Sequence, residues 1–278
     1  EGIFTFMDSE DSFIGPLNLG NPQELSIIKI PHEIIKLTNS KSKIVHETLP
    51  EDDPTQRQPD ISLAKKKLNW TPDIGLKQGL EKTIKYFENK IKKVTKAKHV
   101  IALINGTCSL QIALLALGLK RNQEVLIPAL NFIASSNAVL YCGAIPHFID
   151  VNNVDLGIDI EKLDKYLTLN TKIIKNSCIN KNTKRKIKFI VPTHVFGHIG
   201  NMDKLKFLAK KFKLTIIEDA SEALGSKYKN KHAGTFGKAG ILSFNGNKII
   251  TCGGGGAIIT NNKSLSKKAL HLISNSKL

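Results

Sequence analysis

The 278 residues are enough for one large domain or two ordinary ones, and a hydrophobic share of 41% supports a buried core and argues against wholesale disorder. The formal charge is +17 and uneven: the first 60 residues hold eleven Asp/Glu against five Lys/Arg, the remainder thirteen against 36. With only three arginines to grip bases or phosphates bidentately, a lysine-rich solvated surface is favoured over a nucleic-acid partner, and such a surface also suits a ligand carrying a diphosphate. Cys108, Cys142, Cys178 and Cys252 show no CxxC spacing, so neither a zinc site nor a disulfide framework is indicated, and a reducing cytoplasm fits.

In chain order, residues 1–10 read as helix, followed by the Gly/Pro-rich GPLNLGNP, a helix over about 26–38 and a strand near 43–47. The loop PEDDPTQRQPD and short helical pieces complete the first part. From about Phe87 the pattern alternates. Apolar strands are expected at 99–104, 124–128, 145–151, 187–192, 215–218, 240–244 and 257–260, with helices at 109–117, 133–141, 160–167 and 202–212. Short continuous apolar strands alternating with helices predict a parallel or mixed sheet covered on both faces. The apolar run 100–119 could be long enough for a membrane span. Asn105, Gly106, Thr107, Ser109 and Gln111 interrupt it, so strand, turn and buried helix is the better reading. The Asn/Lys-rich segment 170–186 reads as an exposed excursion. The chain opens at Glu1 and closes inside a helix-like run, 265–278, without a stop signal, which predicts a piece cut at both ends.

Three elements sit at the carboxyl ends of expected strands, where open α/β sheets place ligands. In INGTCSLQIALLAL, Gly106 and Thr107 open a helix whose start can hold an anion. In TIIEDASEALG, the strand leads to Glu218 and Asp219, with Glu222 three residues on. A carboxylate there can hold a protonated ring nitrogen or cap the next helix. In SFNGNKIITCGGGGAIIT, Lys248 sits between Ser243 and four glycines; the lysine can form a Schiff base, the serine can take a phosphate oxygen, and the glycines allow close backbone approach. Phosphate cradle, carboxylate and lysine, in that order, are the parts a pyridoxal phosphate site requires.

At these residues the sequence resembles the sugar-nucleotide aminotransferases of the DegT/StrS type, over about 87–278, through NGTCSLQIALLALGL, PALNFIASSNAVLYCGAIPHFIDV, VPTHVFGHIGNMD, IIEDASEALGSKYKNKHAGTFG and SFNGNKIITCGGGGAIIT. The resemblance implies the α/β fold of a type I aminotransferase large domain, truncated here. It also implies pyridoxal 5'-phosphate as cofactor, a keto-sugar nucleotide as amino acceptor (read as UDP-linked), an amino acid such as glutamate as donor, and a homodimer. Lys248 is then the Schiff-base lysine and proton shuttle, and Asp219 the partner of the pyridine nitrogen. Glu222 lies near the ring hydroxyl; Gly106, Thr107 and Ser243 hold the phosphate. Phe132 stacks on the ring face, its alternative being a core aromatic. His194 and His198 could be read as a metal pair, but Gly197 and the preceding strand argue against the helix this spacing needs. A place near the substrate, assigned to His194, or a packed turn is favoured.

Residues 1 to about 87, through GPLNLGNPQELSI and LPEDDPTQRQPDISLAKKKLNWTPDIGLKQGLEKTIKYF, resemble the C-terminal part of extended short-chain dehydrogenases acting on nucleotide sugars, closest to UDP-glucuronate decarboxylases. Arg57 then lies near the substrate diphosphate, or pairs with Asp53 or Asp60. No dinucleotide loop is present, so NAD is expected only for a complete enzyme of that type. Tyr86 and Lys90 match its Tyr-xxx-Lys spacing but fall at the domain's tail, where coincidence is the better reading. The rival functions are an NAD-dependent decarboxylase or epimerase, a bifunctional fusion, and a polyanion-binding protein.

Overall fold

The computed structural model describes residues 2–10, 12–13, 16–23, 26, 28–38, 43–46 and 58–275. The chain forms two compact units, Glu1–Thr83 and Ile84–Leu278.

In the first unit, α1 (Gly2–Met7), α2 (Lys29–Thr38) and α3 (Ser62–Leu68) are the described helices. Gly2 is buried because α1 lies so close to its neighbours that a Cβ would meet Leu19 and Trp70 at 2.9 Å. Helix α3 buries Ala64 and Leu68 and stops at Asn69, whose φ of 48° is the left-handed conformation that ends helices. The strand expected at 43–47 is a correction: residues 43–46 have no regular structure, and Glu47 lies outside the described residues. A strand needs a partner ladder, and the described residues of this unit contain no strand to supply one.

Helix α4 (Leu76–Thr95) runs across the division between the units. Tyr86 and Lys90 stand one turn apart on it, the Lys90 ammonium 5.1 Å from the Tyr86 ring, as an ordinary surface pair.

The second unit holds one large sheet. Its core strands are β1 (His99–Leu103), β2 (Glu124–Pro128), β3 (Ile145–Ile149), β6 (Lys186–Ile190), β7 (Thr215–Asp219), β10 (Ala239–Ser243) and β11 (Gly256–Thr260). Their order is β1-β11-β10-β7-β6-β2-β3; β11 runs antiparallel to both neighbours, and the pairs from β10 to β3 are parallel. Strands β2 and β11 are buried along their whole length, which is why their sequences, EVLIP and GAIIT, are nearly continuous apolar runs. One face is covered by α5 (Gly106–Ala116), α6 (Ile133–Tyr141) and α9 (Lys263–Asn275), around Leu114, Val125, Val139 and Ile217. The other carries α7 (Ile160–Asn170) and α8 (Met202–Lys211), around Leu126, Leu167, Ile190 and Met202. No helix among the described residues is long and apolar enough to cross a membrane.

Segment 170–186 is not an excursion. It forms a hairpin, β4 (Thr171–Ile174) and β5 (Ser177–Asn180), that pairs with β6 and extends the sheet. Its two-residue turn is Lys175-Asn176, both at positive φ (46° and 59°), the geometry that matches strand twist. A small second hairpin, β8 (Lys227–Tyr228) and β9 (Lys231–His232), turns the same way at Lys229-Asn230.

Candidate active site

The carboxyl ends of β1, β2, β6, β7 and β10 open into one cleft of about 430 Å³. At its floor, Asn105 caps α5, its side chain accepting from the Cys108 N–H at 2.8 Å. Gly106 and Thr107 occupy the first turn, where N–H groups have no acceptor within the helix and the helix dipole is positive. The hydroxyls of Ser221 and Ser243 converge on the same point: a Cβ on Gly106 would come within 3.3 Å of Ser221 Oγ and 3.4 Å of Ser243 Oγ. This is a cradle for a small anion.

The glycine run after Lys248 has a steric cause. Any side chain at Gly256 would collide with the Asn105 carbonyl and the Gly106 nitrogen, so β11 starts pressed against the helix that opens the cradle. Gly253 and Gly255, at φ of 84° and 140°, bring the chain back from the Lys248 turn.

Asp219 ends β7. Its Oδ2 accepts from Ser135 Oγ at 2.8 Å and its Oδ1 from the Ser221 N–H at 3.2 Å, which fixes the carboxylate facing the cleft. Lys248 sits on a turn closed by its own N–H donating to the Asn245 carbonyl at 3.0 Å. Its side chain is 12% exposed; Nζ lies 3.1 Å from Glu222 Oε1 and 5.6 Å from the centre of the Phe132 ring. The second oxygen, Glu222 Oε2, accepts from the Phe196 N–H at 3.0 Å. Burial pushes the Glu222 carboxyl up, but the Phe196 N–H and Lys248 together outweigh it and hold the group below its ordinary range.

The structure thus brings Gly106, Thr107, Phe132, Asp219, Glu222, Ser243 and Lys248 to one cleft. Arg57 lies outside the described residues. His194 is turned away. It is 2% exposed, and its Nε2 lies 3.0 Å from Glu218 Oε2, so the packed turn, not the substrate-facing place, is where it sits. Glu218, fully buried, also accepts from the N–H groups of Gly234 (2.8 Å), Phe236 (2.6 Å) and Gly237 (2.6 Å), which leaves the histidine ring with an interior partner. Three site groups escape a reading of the sequence, one of them Ser221, whose hydroxyl joins that of Ser243 at the cradle. Ser135 looks like an ordinary helix residue in IASSNAV, and Phe196 contributes a backbone N–H, which no side-chain pattern reports.

A half-buried amine, a fixed carboxylate and an anion cradle around one cleft at the strand ends define the large domain of a type I aminotransferase-like fold. Residues 75–277 match the DegT/DnrJ/EryC1/StrS aminotransferase family, and the chain belongs to it. It is 40% identical over 188 residues to the GDP-perosamine synthase of Escherichia coli O157:H7, covering 68% of this chain and 47% of that protein. To the GDP-perosamine synthase of Caulobacter vibrioides it is 39% identical over 182 residues, covering 66% and 45%. A solved DegT/DnrJ/EryC1/StrS aminotransferase from Brucella abortus matches with a TM-score of 0.62 at 31% identity, covering 68% of this chain and 48% of that one. The chain spans about half the length of the curated relatives it matches.

Proposed function

We propose that the chain carries the cofactor-holding part of a pyridoxal phosphate-dependent aminotransferase, which moves an amino group from an amino acid such as glutamate to a keto sugar borne on a nucleoside diphosphate. The observation that carries this reading is Lys248 Nζ, held in the cleft between Glu222 and the Phe132 ring. The residues fit the group: Lys248 offers the amine that bonds its carbonyl, Asp219 a carboxylate for its ring nitrogen, and the α5 start with Ser221 and Ser243 an anion cradle for its phosphate. When bound, pyridoxal phosphate supplies an electron sink that lets a proton leave the carbon bearing the amino group.

The chain's own residues do the rest. Ser135 and the Ser221 N–H keep Asp219 oriented. Phe132 covers one side of the cleft beside the amine. Lys248 takes a proton at Nζ and returns it, with the Glu222 carboxylate 3.1 Å from that atom. Lys248 and Asp219 are therefore the catalytic residues of this reading.

For the acceptor, the relatives' names point to a GDP-linked sugar, whereas the sequence reading is a UDP-linked 4-keto sugar; both carriers share the diphosphate. Residues 1–87 are read, on sequence resemblance alone, as the C-terminal part of an NAD-dependent nucleotide-sugar enzyme joined to an aminotransferase large domain at 88–278. A cytoplasmic homodimer completes the reading. The test is borohydride reduction after incubation with pyridoxal phosphate, followed by peptide mass mapping. A reduced adduct confined to Lys248 is expected; reduction with no lysine preferred overturns the assignment.

A further inference from the structure

Phe196 follows β6 on the wall of the cleft, within the short turn Val195–Gly197. Its φ of 51° and ψ of 25° are left-handed, a conformation strained for any residue with a side chain. Its ring is 75% exposed, so core packing does not explain why a large aromatic occupies so strained a position. Nor does the turn need it there, since the next residue, Gly197 at φ 83°, already supplies the flexible unit. The strained backbone is nevertheless held from behind. Its N–H donates to Glu222 Oε2, and a Cβ on Gly197 would stand 3.3 Å from the Glu222 carbonyl oxygen. A rigidly presented, unburied ring on the wall of a ligand cleft is a contact surface.

The other exposed aromatic of the cleft, Phe132, stands beside Lys248 Nζ and is thereby assigned to the cofactor. Phe196 is left for the co-substrate. We infer that Phe196 is a specificity-determining residue whose ring packs against the C–H face of the sugar in the nucleotide-linked substrate. This rests on the aminotransferase reading above. An aromatic face suits that partner because it buries C–H groups while the hydroxyls at the sugar's rim stay free for water.

The test compares the cofactor-treated chain with its Phe196→Gly and Phe196→Leu variants. Glycine accepts the left-handed backbone, so the ring is removed while the turn is relieved of strain. Calorimetry would give dissociation constants for GDP-mannose and UDP-glucose, as stable sugar nucleotides, and for GDP and UDP alone. In the unaltered chain at least one sugar nucleotide should bind tighter than its bare diphosphate. Phe196→Gly should weaken that sugar nucleotide about tenfold, leave the bare diphosphate unchanged, and be partly repaired in Phe196→Leu. A change below about twofold, an equal loss for sugar nucleotide and bare diphosphate, or no advantage of the sugar in the unaltered chain would overturn the inference. The borohydride adduct at Lys248, measured in parallel, separates the two levels. If it is present, only the role of Phe196 falls; if it is absent from the unaltered chain, both readings fall.

Discussion

Lys248 Nζ and Glu222 Oε1 lie 3.1 Å apart, although 26 residues separate them in the chain. The meeting follows from topology: β7 and β10 are neighbouring parallel strands, with Asp219 in register with Ile241, so the segments that leave their carboxyl ends emerge side by side. Because the second Glu222 oxygen takes the Phe196 N–H, one carboxylate links the lysine turn to the turn after β6. The lysine, the acid and the exposed ring are held as a unit.

Lys248→Met keeps most of the side chain and removes the amine. The reduced cofactor adduct at this position should vanish, and transamination should fall about a thousandfold, the scale of losing a positioned proton-transfer group. The Glu222 carboxyl, freed of its cation, should titrate at a higher pH in carbon-detected NMR. An adduct that survives on a neighbouring lysine would remove Lys248 from its role.

Much of this site is legible in the sequence because its parts follow strands whose apolar runs are easily read. Glu124–Pro128 and Ile133–Tyr141 occur at the residues expected, and the remaining core strands shift by one or two. The two hairpins are not legible. Their turns are Lys-Asn rather than Asn-Gly, so the left-handed lysines carry no composition signal, and β4 reads TKII, too short and too exposed to show alternation. The place of His194 is hidden for a different reason. Whether its ring faces the cleft or the interior depends on Glu218, 24 residues away, and on the three backbone donors that fix that carboxylate.

Gly256→Ala should be poorly tolerated. The added methyl would collide with backbone atoms of Asn105 and Gly106, which no side-chain rotation relieves. A loss of about 1–3 kcal/mol in urea unfolding is expected, with weaker cofactor binding as β11 is pushed from the start of α5. Gly246→Ala is the control, since a methyl there meets nothing within 4 Å. Equal stability of the two variants would show that the close approach at Gly256 has no consequence.

Glu218→Ala tests the buried acid beneath the cleft. It leaves three backbone N–H groups and the buried His194 ring without their shared acceptor. The cost should be about 3–5 kcal/mol. His194→Ala should cost less, because Glu218 keeps its three backbone donors. Urea midpoints for the pair check the order, and a larger loss for His194→Ala would place the energetic weight on the histidine instead.

Glu124, at the amino end of β2, gives a prediction in pH. It is buried and accepts from Thr183 Oγ1 (2.5 Å), Asn180 Nδ2 (3.0 Å) and His147 Nδ1 (2.8 Å), so it pins the β4–β5 hairpin to the sheet. Burial pushes its carboxyl up, but the three hydrogen bonds, together with the attraction of His147, outweigh that and hold it below the ordinary range. A folded-state value below the unfolded one, about 4.3, contributes stability that is fully present above the unfolded value. That contribution is lost as pH falls through the folded value. Glu124→Gln keeps an acceptor but cannot carry the charge. Its urea midpoint should therefore lie below that of the unaltered chain at pH 7, and the gap should narrow once the pH drops below about 4. A gap of the same size at both ends of that range would assign the contribution of Glu124 to packing and neutral hydrogen bonding instead of its charge.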